Sequence, residues 1–122
     1  MGRLSEVLDR IMGRALYEMA NVAPKRTGLP YGIWISHRGS VRHGPRIKAY
    51  AAGYQVRASE IVVTIEEVPR VIRCPQRPHV PAAHLRQLEA FVRLNRAPLI
   101  QYWEDNDMDT QDMIDQLRRL DA

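Results

Sequence analysis

Two histidines stand among arginines in residues 37–48, which read His-Arg-Gly-Ser-Val-Arg-His-Gly-Pro-Arg-Ile-Lys. An imidazole can move a 2′-hydroxyl proton while guanidinium groups hold the phosphate and its developing charge. This combination is typical of RNA cleavage without a metal, and His43 is the candidate for the proton transfer. A second interpretation is that each histidine caps a turn or is solvated. The spacing alone does not show convergence, so both interpretations stay open, and so does whether the chain is an enzyme.

Metal binding is the weakest interpretation of the histidines. His37 and His43 are six residues apart, and His79 and His84 are five apart with Pro81 between them. Neither spacing is that of a helical i, i+4 pair, and no cysteine pair or tight carboxylate cluster completes a ligand shell. We therefore predict no metal site and no cofactor.

The same stretch contains a predicted anion-binding site, which we call the basic patch. Its members are Arg38, Arg42, Arg46 and Lys48. Arg46 and Lys48 should project from one face of a strand because strand side chains alternate, and the two arginines before them extend the patch from a turn-rich loop. Three aromatic residues lie near it in sequence: Tyr31, Trp34 and Tyr50. A basic sheet face with aromatics suits single-stranded or structured nucleic acid, whereas the alternative is a solvated face partly neutralised by the acidic C-terminal part.

The charges are distributed unevenly along the chain. Residues 25–57 contain seven cationic side chains and no carboxylate, whereas residues 104–115 contain six carboxylates and no base. Sixteen of the eighteen bases are arginine, a residue that pairs bidentately with phosphate, although a GC-rich genome would produce the same bias. The acidic run could favour the start of a helix, cover the basic patch in cis, or bind a partner's basic surface.

Length and composition predict a single globular domain, 1–122, with 45% apolar and 26% charged residues. Cys74 is the one cysteine, so an intramolecular disulfide is excluded. The N-terminus lacks the apolar run of a signal peptide, and no stretch approaches the roughly 20 apolar residues that span a bilayer. We therefore expect a cytoplasmic protein that does not engage a membrane.

Apolar spacing predicts three regions: an N-terminal helix over 4–22, a β-meander over 31–73 and a helical C-terminal part over 81–120. Strands are predicted at 31–36, 46–50 and 60–66, with Val71-Ile72 as a short fourth strand. The apolar face of the N-terminal helix could pack on the sheet or form a homodimer with a second copy.

The C-terminal part predicts three helices. The first opens at Pro81 and ends with Asn95 as its cap, the second runs from Pro98 through Trp103, and the third begins near Asp109. The fold class is α+β: a small antiparallel three- to four-stranded sheet, with the N-terminal helix and two to three C-terminal helices packed on one face.

From Tyr31 onward the order of features resembles domain-of-unknown-function family 4160, a group of small bacterial proteins. The resemblance covers about residues 31–104 and rests on three places. The first is the strand Ile33-Trp34-Ile35 leading to residues 43–48, and the second is the strand 60–66 followed by a Pro-containing turn. The third is the end of the helical region over residues 91–104. The family tends to show His-x-Pro-His-Phe-His-Val where this chain has His43-Gly44-Pro45-Arg46-Ile47-Lys48. The replacement of two histidines by Arg46 and Lys48 disfavours a metal-centred or two-histidine mechanism and favours anion binding.

Genes of that family often lie in pairs that look like toxin–antitoxin modules. The resemblance therefore implies a toxin–antitoxin-type or mobile-element protein that engages RNA or DNA through the basic patch, with a cognate protein partner as a further expectation. The alternative is a non-enzymatic, phage- or plasmid-borne inhibitor of a host defence complex, anti-CRISPR-like, that acts by protein contacts or charge mimicry.

Overall fold

The computed structural model describes residues 19–36, 44–105 and 107–121. Within these ranges it contains five strands and four helices. The strands are β1 (Met19–Val22), β2 (Ile33–Ser36), β3 (Arg46–Tyr50), β4 (Glu60–Thr64) and β5 (Val71–Arg73). The helices are α1 (Pro24–Thr27), α2 (Ala82–Leu94), α3 (Arg96–Glu104) and α4 (Thr110–Gln116), and a 3₁₀ turn, Arg57–Ser59, precedes β4.

The strands form one antiparallel sheet in the order β1-β2-β3-β4-β5, so each strand pairs with its neighbours in sequence. The predicted class, α+β with a small antiparallel sheet, is confirmed. The bounds of β3 agree with the prediction, because its alternating charged and apolar residues favour a strand with two unlike faces. The short strand at Val71 is present as well.

The predicted strand count is too low, because the sheet contains a fifth strand at Met19–Val22. The helix predicted over 4–22 is wrong for these last four residues, which pair with Ile33–Ser36. Met19 and Val22 have the spacing of a helical stripe, whereas Ala20 and Val22 follow a two-residue alternation and are both buried, and pairing with β2 selects the alternation. Residues 4–18 of that predicted helix lie outside the described residues. After β1, Pro24 begins the short helix α1, which was not predicted.

One hydrophobic core joins the sheet to the helices. Ile33, Ile35, Ile47, Ile61 and Val63 face it from the strands, and all are at most 1% exposed. From the helices come the fully buried side chains Leu88, Phe91, Val92, Leu99, Tyr102 and Met113. Helix α2 lies against β4 and α3 lies against β2, so these helices cover the face of the sheet that we call the core face. Trp103, near the end of α3, is buried at 6% exposure.

The segment after α4 returns to α1 and is bound there by backbone and side-chain contacts. The Leu120 amide donates to the Thr27 carbonyl oxygen at 2.8 Å. The Arg26 guanidinium donates to the carbonyl oxygens of Ile114 and Leu117, at 2.8 and 3.1 Å, and so satisfies the open C-terminus of α4. Arg26, one of the seven cations of the stretch 25–57, therefore has a structural role.

Asn95, predicted as the cap of α2, ends that helix and holds the same C-terminal segment. It is 1% exposed, and its side-chain amide donates to the Phe91 carbonyl oxygen at 3.2 Å and to the Arg118 carbonyl oxygen at 2.9 Å. Its side-chain oxygen accepts from the Arg118 amide at 2.6 Å.

Candidate nucleic-acid interface

The sheet has a second face, opposite the core face, which we call the outer face. Strand alternation places nine of the described side chains on it: Asn21, Trp34, Ser36, Arg46, Lys48, Tyr50, Glu60, Val62 and Thr64, with Arg73 added from β5. The register aligns one row across all five strands, in the order Asn21, Trp34, Lys48, Val62 and Arg73. An amide, an aromatic ring and two cations therefore lie side by side.

A buried carboxylate lies on this face at the start of β4, opposite Tyr50. Glu60 is 5% exposed, and its oxygens lie 3.7 Å from Lys48 Nζ and 3.8 Å from Arg73 Nε. The Tyr50 hydroxyl donates to Glu60 Oε2 at 3.3 Å. A buried carboxylate needs such partners because removal from water is costly.

More positive than negative charge surrounds Glu60. Burial lowers the pKa of the Arg46 guanidinium, the Glu60 charge opposes this, and the charges of Arg57 and Arg73 lower it further. We name Arg46, Lys48, Arg57 and Arg73 the cationic cluster. Four positive charges against one carboxylate leave a local charge of +3 among these five residues. The Arg46 Nε is shielded from solvent, and the described residues provide no hydrogen-bond partner for it.

Only part of the predicted basic patch falls on described residues. Arg46 and Lys48 share one face, as the alternation predicts. Both side chains are half-buried, and Val62 between Lys48 and Arg73 is 2% exposed, so the centre of this face is not a fully solvated surface. The physical reason is that long cationic side chains cover apolar surface with their aliphatic stems while the charged ends stay near water. Arg38, Arg42, His37 and His43 lie outside the described residues.

Two members of the cationic cluster were not predicted as site residues. Arg57 lies in the 3₁₀ turn before β4 and is exposed, and the Arg73 side chain at the end of β5 is 45% exposed. Arg73 directly follows the predicted short strand Val71-Ile72, but its place on the outer face depends on a register shift between Val62 and Val63 that sets it opposite Val62. Arg57 carried no signal in the sequence, because its approach to Arg46 depends on how the chain turns into β4.

An aromatic pocket of about 290 Å³ opens beside the cationic cluster at the ends of β1, β2 and β3. Its walls include Asn21, Pro24, Tyr31, Trp34, Tyr50 and Tyr54. The Trp34 and Tyr50 rings meet edge to face, with centroids 6.3 Å apart and planes at 77°. The Tyr31 hydroxyl is hydrogen-bonded to His84 Nδ1 at 2.9 Å, whereas Tyr54 is 68% exposed. Hydrogen bonds thus hold Tyr31 and Tyr50 in place, whereas the Tyr54 ring is accessible to a ligand.

The acidic run 104–115 contributes to helix α4. Asp109 is its N-cap, with a carboxylate oxygen 3.4 Å from the Gln111 amide, and Asp112 lies in the first turn, where the helix dipole favours a negative charge. Four carboxylates of the run, those of Asp105, Asp107, Asp112 and Asp115, line a surface depression of about 420 Å³. Because α4 packs on α3 and α3 on the core face, this acidic surface lies on the side of the sheet opposite the cationic cluster.

The remaining chemistry of the described residues is sparse. No three of their histidine, cysteine, aspartate or glutamate side chains are grouped as ligands for a metal ion. Cys74 is a free, exposed thiol. None of the helices in the described ranges is long and apolar enough to cross a membrane.

No protein-family model, curated protein or solved structure matches this chain. The resemblance to domain-of-unknown-function family 4160 therefore stays a prediction, and function has to be argued from the outer face itself.

Proposed function

We propose that this protein binds nucleic acid, RNA or DNA, through the cationic cluster on the outer face of its sheet. The observation that carries the proposal is the excess of cations over Glu60: one carboxylate neutralises one of four bases, and two of the four, Arg57 and Arg73, are exposed to a ligand. Phosphate oxygens are the acceptors that such a cluster binds best, because arginine forks match phosphate geometry. Arg38 and Arg42, which precede β3 in the sequence, are predicted members of the same anion-binding site.

The proposal is tested by binding to a single-stranded oligonucleotide over a range of salt concentrations. If about four phosphates are neutralised, log affinity should fall with log salt at a slope of about −3 to −4. Arg57→Ala should reduce the affinity and lower the slope by about one, because it removes one exposed cation of the cluster. The matched control is Arg93→Ala, an exposed arginine on helix α2, which should change neither quantity. No binding even at low salt would refute the proposal.

RNA cleavage is a further step that depends on His43. If His43 transfers the 2′-hydroxyl proton, His43→Gln should lower cleavage by about 10² or more and leave RNA affinity nearly unchanged. The toxin–antitoxin-type role that the family resemblance implies makes growth arrest in a bacterial host the cellular measurement. If the His43→Gln protein arrests growth as the parent does, the proposal that His43 catalyses RNA cleavage is refuted, and the proposal of nucleic-acid binding stands.

A second candidate function is a non-enzymatic inhibitor that binds a basic protein partner. The four carboxylates around the depression beside α4 favour it, because they form a compact negative surface away from the cationic cluster. Asp107→Asn with Asp115→Asn should abolish capture of such a partner, whereas Arg57→Ala should not. The opposite result would favour nucleic-acid binding.

A further inference from the structure

The aromatic pocket and the cationic cluster are continuous. Tyr50 belongs to both: its ring lines the pocket, and its hydroxyl donates to Glu60, which in turn pairs with Lys48 and Arg73. Trp34, another wall of the pocket, pairs directly with Lys48 across β2 and β3. Cα atoms of directly opposed residues in antiparallel strands are about 4.5–5.5 Å apart, so an aromatic wall and a cation lie within the span of one nucleotide.

We propose that this pocket holds one unstacked base of a single-stranded nucleic acid whose phosphates lie on the cationic cluster. The inference rests on the proposed function and adds to it a substrate class, single strands in preference to duplexes. The pocket volume of about 290 Å³ is just below the roughly 300–1,000 Å³ typical of small-molecule sites, which suits one planar group. Bases stack on aromatic side chains with little dependence on sequence, since every base has a π face.

The walls are arranged for such a ligand before it binds. Hydrogen bonds from Tyr31 to His84 and from Tyr50 to Glu60 hold these two rings in place in the free protein. Binding a ligand therefore costs little additional side-chain entropy at these two residues. The exposed Tyr54 ring provides a surface on which a base can stack. The Asn21 carboxamide at the rim offers a donor and an acceptor for a base edge. A duplex cannot use this pocket without extruding a base from its stack.

The test compares three probes of equal length: a single-stranded oligonucleotide, its duplex, and an abasic strand with the same phosphates. The parent protein should bind the base-bearing strand about tenfold or more tighter than the abasic strand. Tyr54→Ala should remove most of this difference without unfolding the protein, because the side chain is exposed. Tyr54→Phe, which keeps the ring, should preserve it. Arg57→Ala should weaken binding of both strands by the same factor.

Tryptophan fluorescence gives an independent measurement. The chain has two tryptophans, and Trp103 is buried in the core. The base-bearing strand should quench Trp34, and the quenching should disappear in Trp34→Phe.

The outcomes separate the two proposals. Equal, salt-sensitive affinity of the parent for the abasic and base-bearing strands, or a Tyr54→Ala protein that still discriminates between them, would overturn the base-binding pocket and leave the proposed function intact. A protein that binds none of the three probes at low salt would overturn both. A preference for the duplex would also overturn the pocket.

Discussion

The carboxylate of Glu60 connects the two parts of the outer face. It lies within 3.8 Å of two cations and receives a hydrogen bond from a wall of the aromatic pocket. Its negative charge allows four bases to approach one another while leaving three positive charges for a ligand. Lys48 and Arg73 thus contribute to the internal order of the sheet as well as to the surface charge.

Glu60→Gln should lower the free energy of unfolding by about 1–3 kcal/mol, because the ion pairs are lost and four like charges remain close together. Chemical denaturation measures this change. Glu66→Gln is the matched control: it removes the charge from the exposed Glu66–Arg70 pair, whose atoms are 3.0 Å apart, keeps an oxygen for the Thr64 hydroxyl, and should change stability much less than Glu60→Gln. If Glu60→Gln unfolds at the same denaturant concentration as the parent, the ion pairs contribute nothing to stability.

Buried tyrosines predict a loss of stability at alkaline pH. Burial raises the pKa of Tyr50, and the Glu60 charge raises it further; burial is also the main cause of the raised pKa of Tyr31 and Tyr102. A phenol with a raised pKa contributes stability that is complete below the unfolded value of about 10 and is lost as pH rises through the folded value. The tyrosinate absorbance of the native protein should therefore rise at higher pH than that of the unfolded chain. Coincident titration curves would contradict this prediction.

Helix α1 is in direct contact with the segment that follows α4. Gly28 ends α1 at φ +80°, and a Cβ atom at this position would collide with the Leu120 carbonyl oxygen. Because Leu120 also bonds to Thr27 and Arg26 caps α4, this contact couples α1 to the last helix.

Gly28→Ala should destabilise the protein by more than the ~1–2 kcal/mol that left-handed backbone strain alone costs, because it also displaces the C-terminal segment. Gly53→Ala is the control, since Gly53 has φ +86° and the described residues place no atom within 4 Å of an added Cβ. Gly53→Ala should therefore lose only the stability that backbone strain costs. Thermal unfolding of both variants measures the two losses of stability. If the losses are equal, the C-terminal segment moves away from the added Cβ atom at no cost.

The molecule as a whole has opposite charges on its two sides. The cationic cluster occupies the outer face, and the acidic depression lies beyond the helices that cover the core face. A polyanion approaching the outer face therefore experiences attraction nearby and weak repulsion from the far side. Added salt weakens this distant repulsion more than the nearby attraction, because exposed charges farther apart than about 10 Å are screened at 0.1 M ionic strength.

Asp107→Asn with Asp115→Asn should speed association with an oligonucleotide about two- to threefold at low salt and have no effect at high salt. Stopped-flow measurements at both salt concentrations test this. Asp115 lies in the last turn of α4, where a negative charge opposes the helix dipole, so its neutralisation should not cost stability. A loss of oligonucleotide binding in this variant would show that the acidic side takes part in the interface.

Local sequence determined the elements whose causes are local. The alternation over 46–50 predicted β3 and the common face of Arg46 and Lys48, Pro81 and Asn95 predicted the two ends of α2, and Asp109 predicted the start of α4. Each depends on neighbours within a few residues: side-chain alternation, a missing proline donor, or a cap that satisfies free amides. The spacing Leu88, Phe91 and Val92 likewise determined which face of α2 is buried.

Tertiary structure alone decided which charges serve the interior and which form a surface. Glu60 begins a strand and gives no sign in the sequence of being buried, and Arg26 resembles any other cation until it meets the end of α4. Strand β1 exists because β2 pairs with it, and the cationic cluster and aromatic pocket exist because strand register brings distant residues into one row. Burial and pairing depend on these long-range contacts, and charge type and spacing along the chain do not encode them.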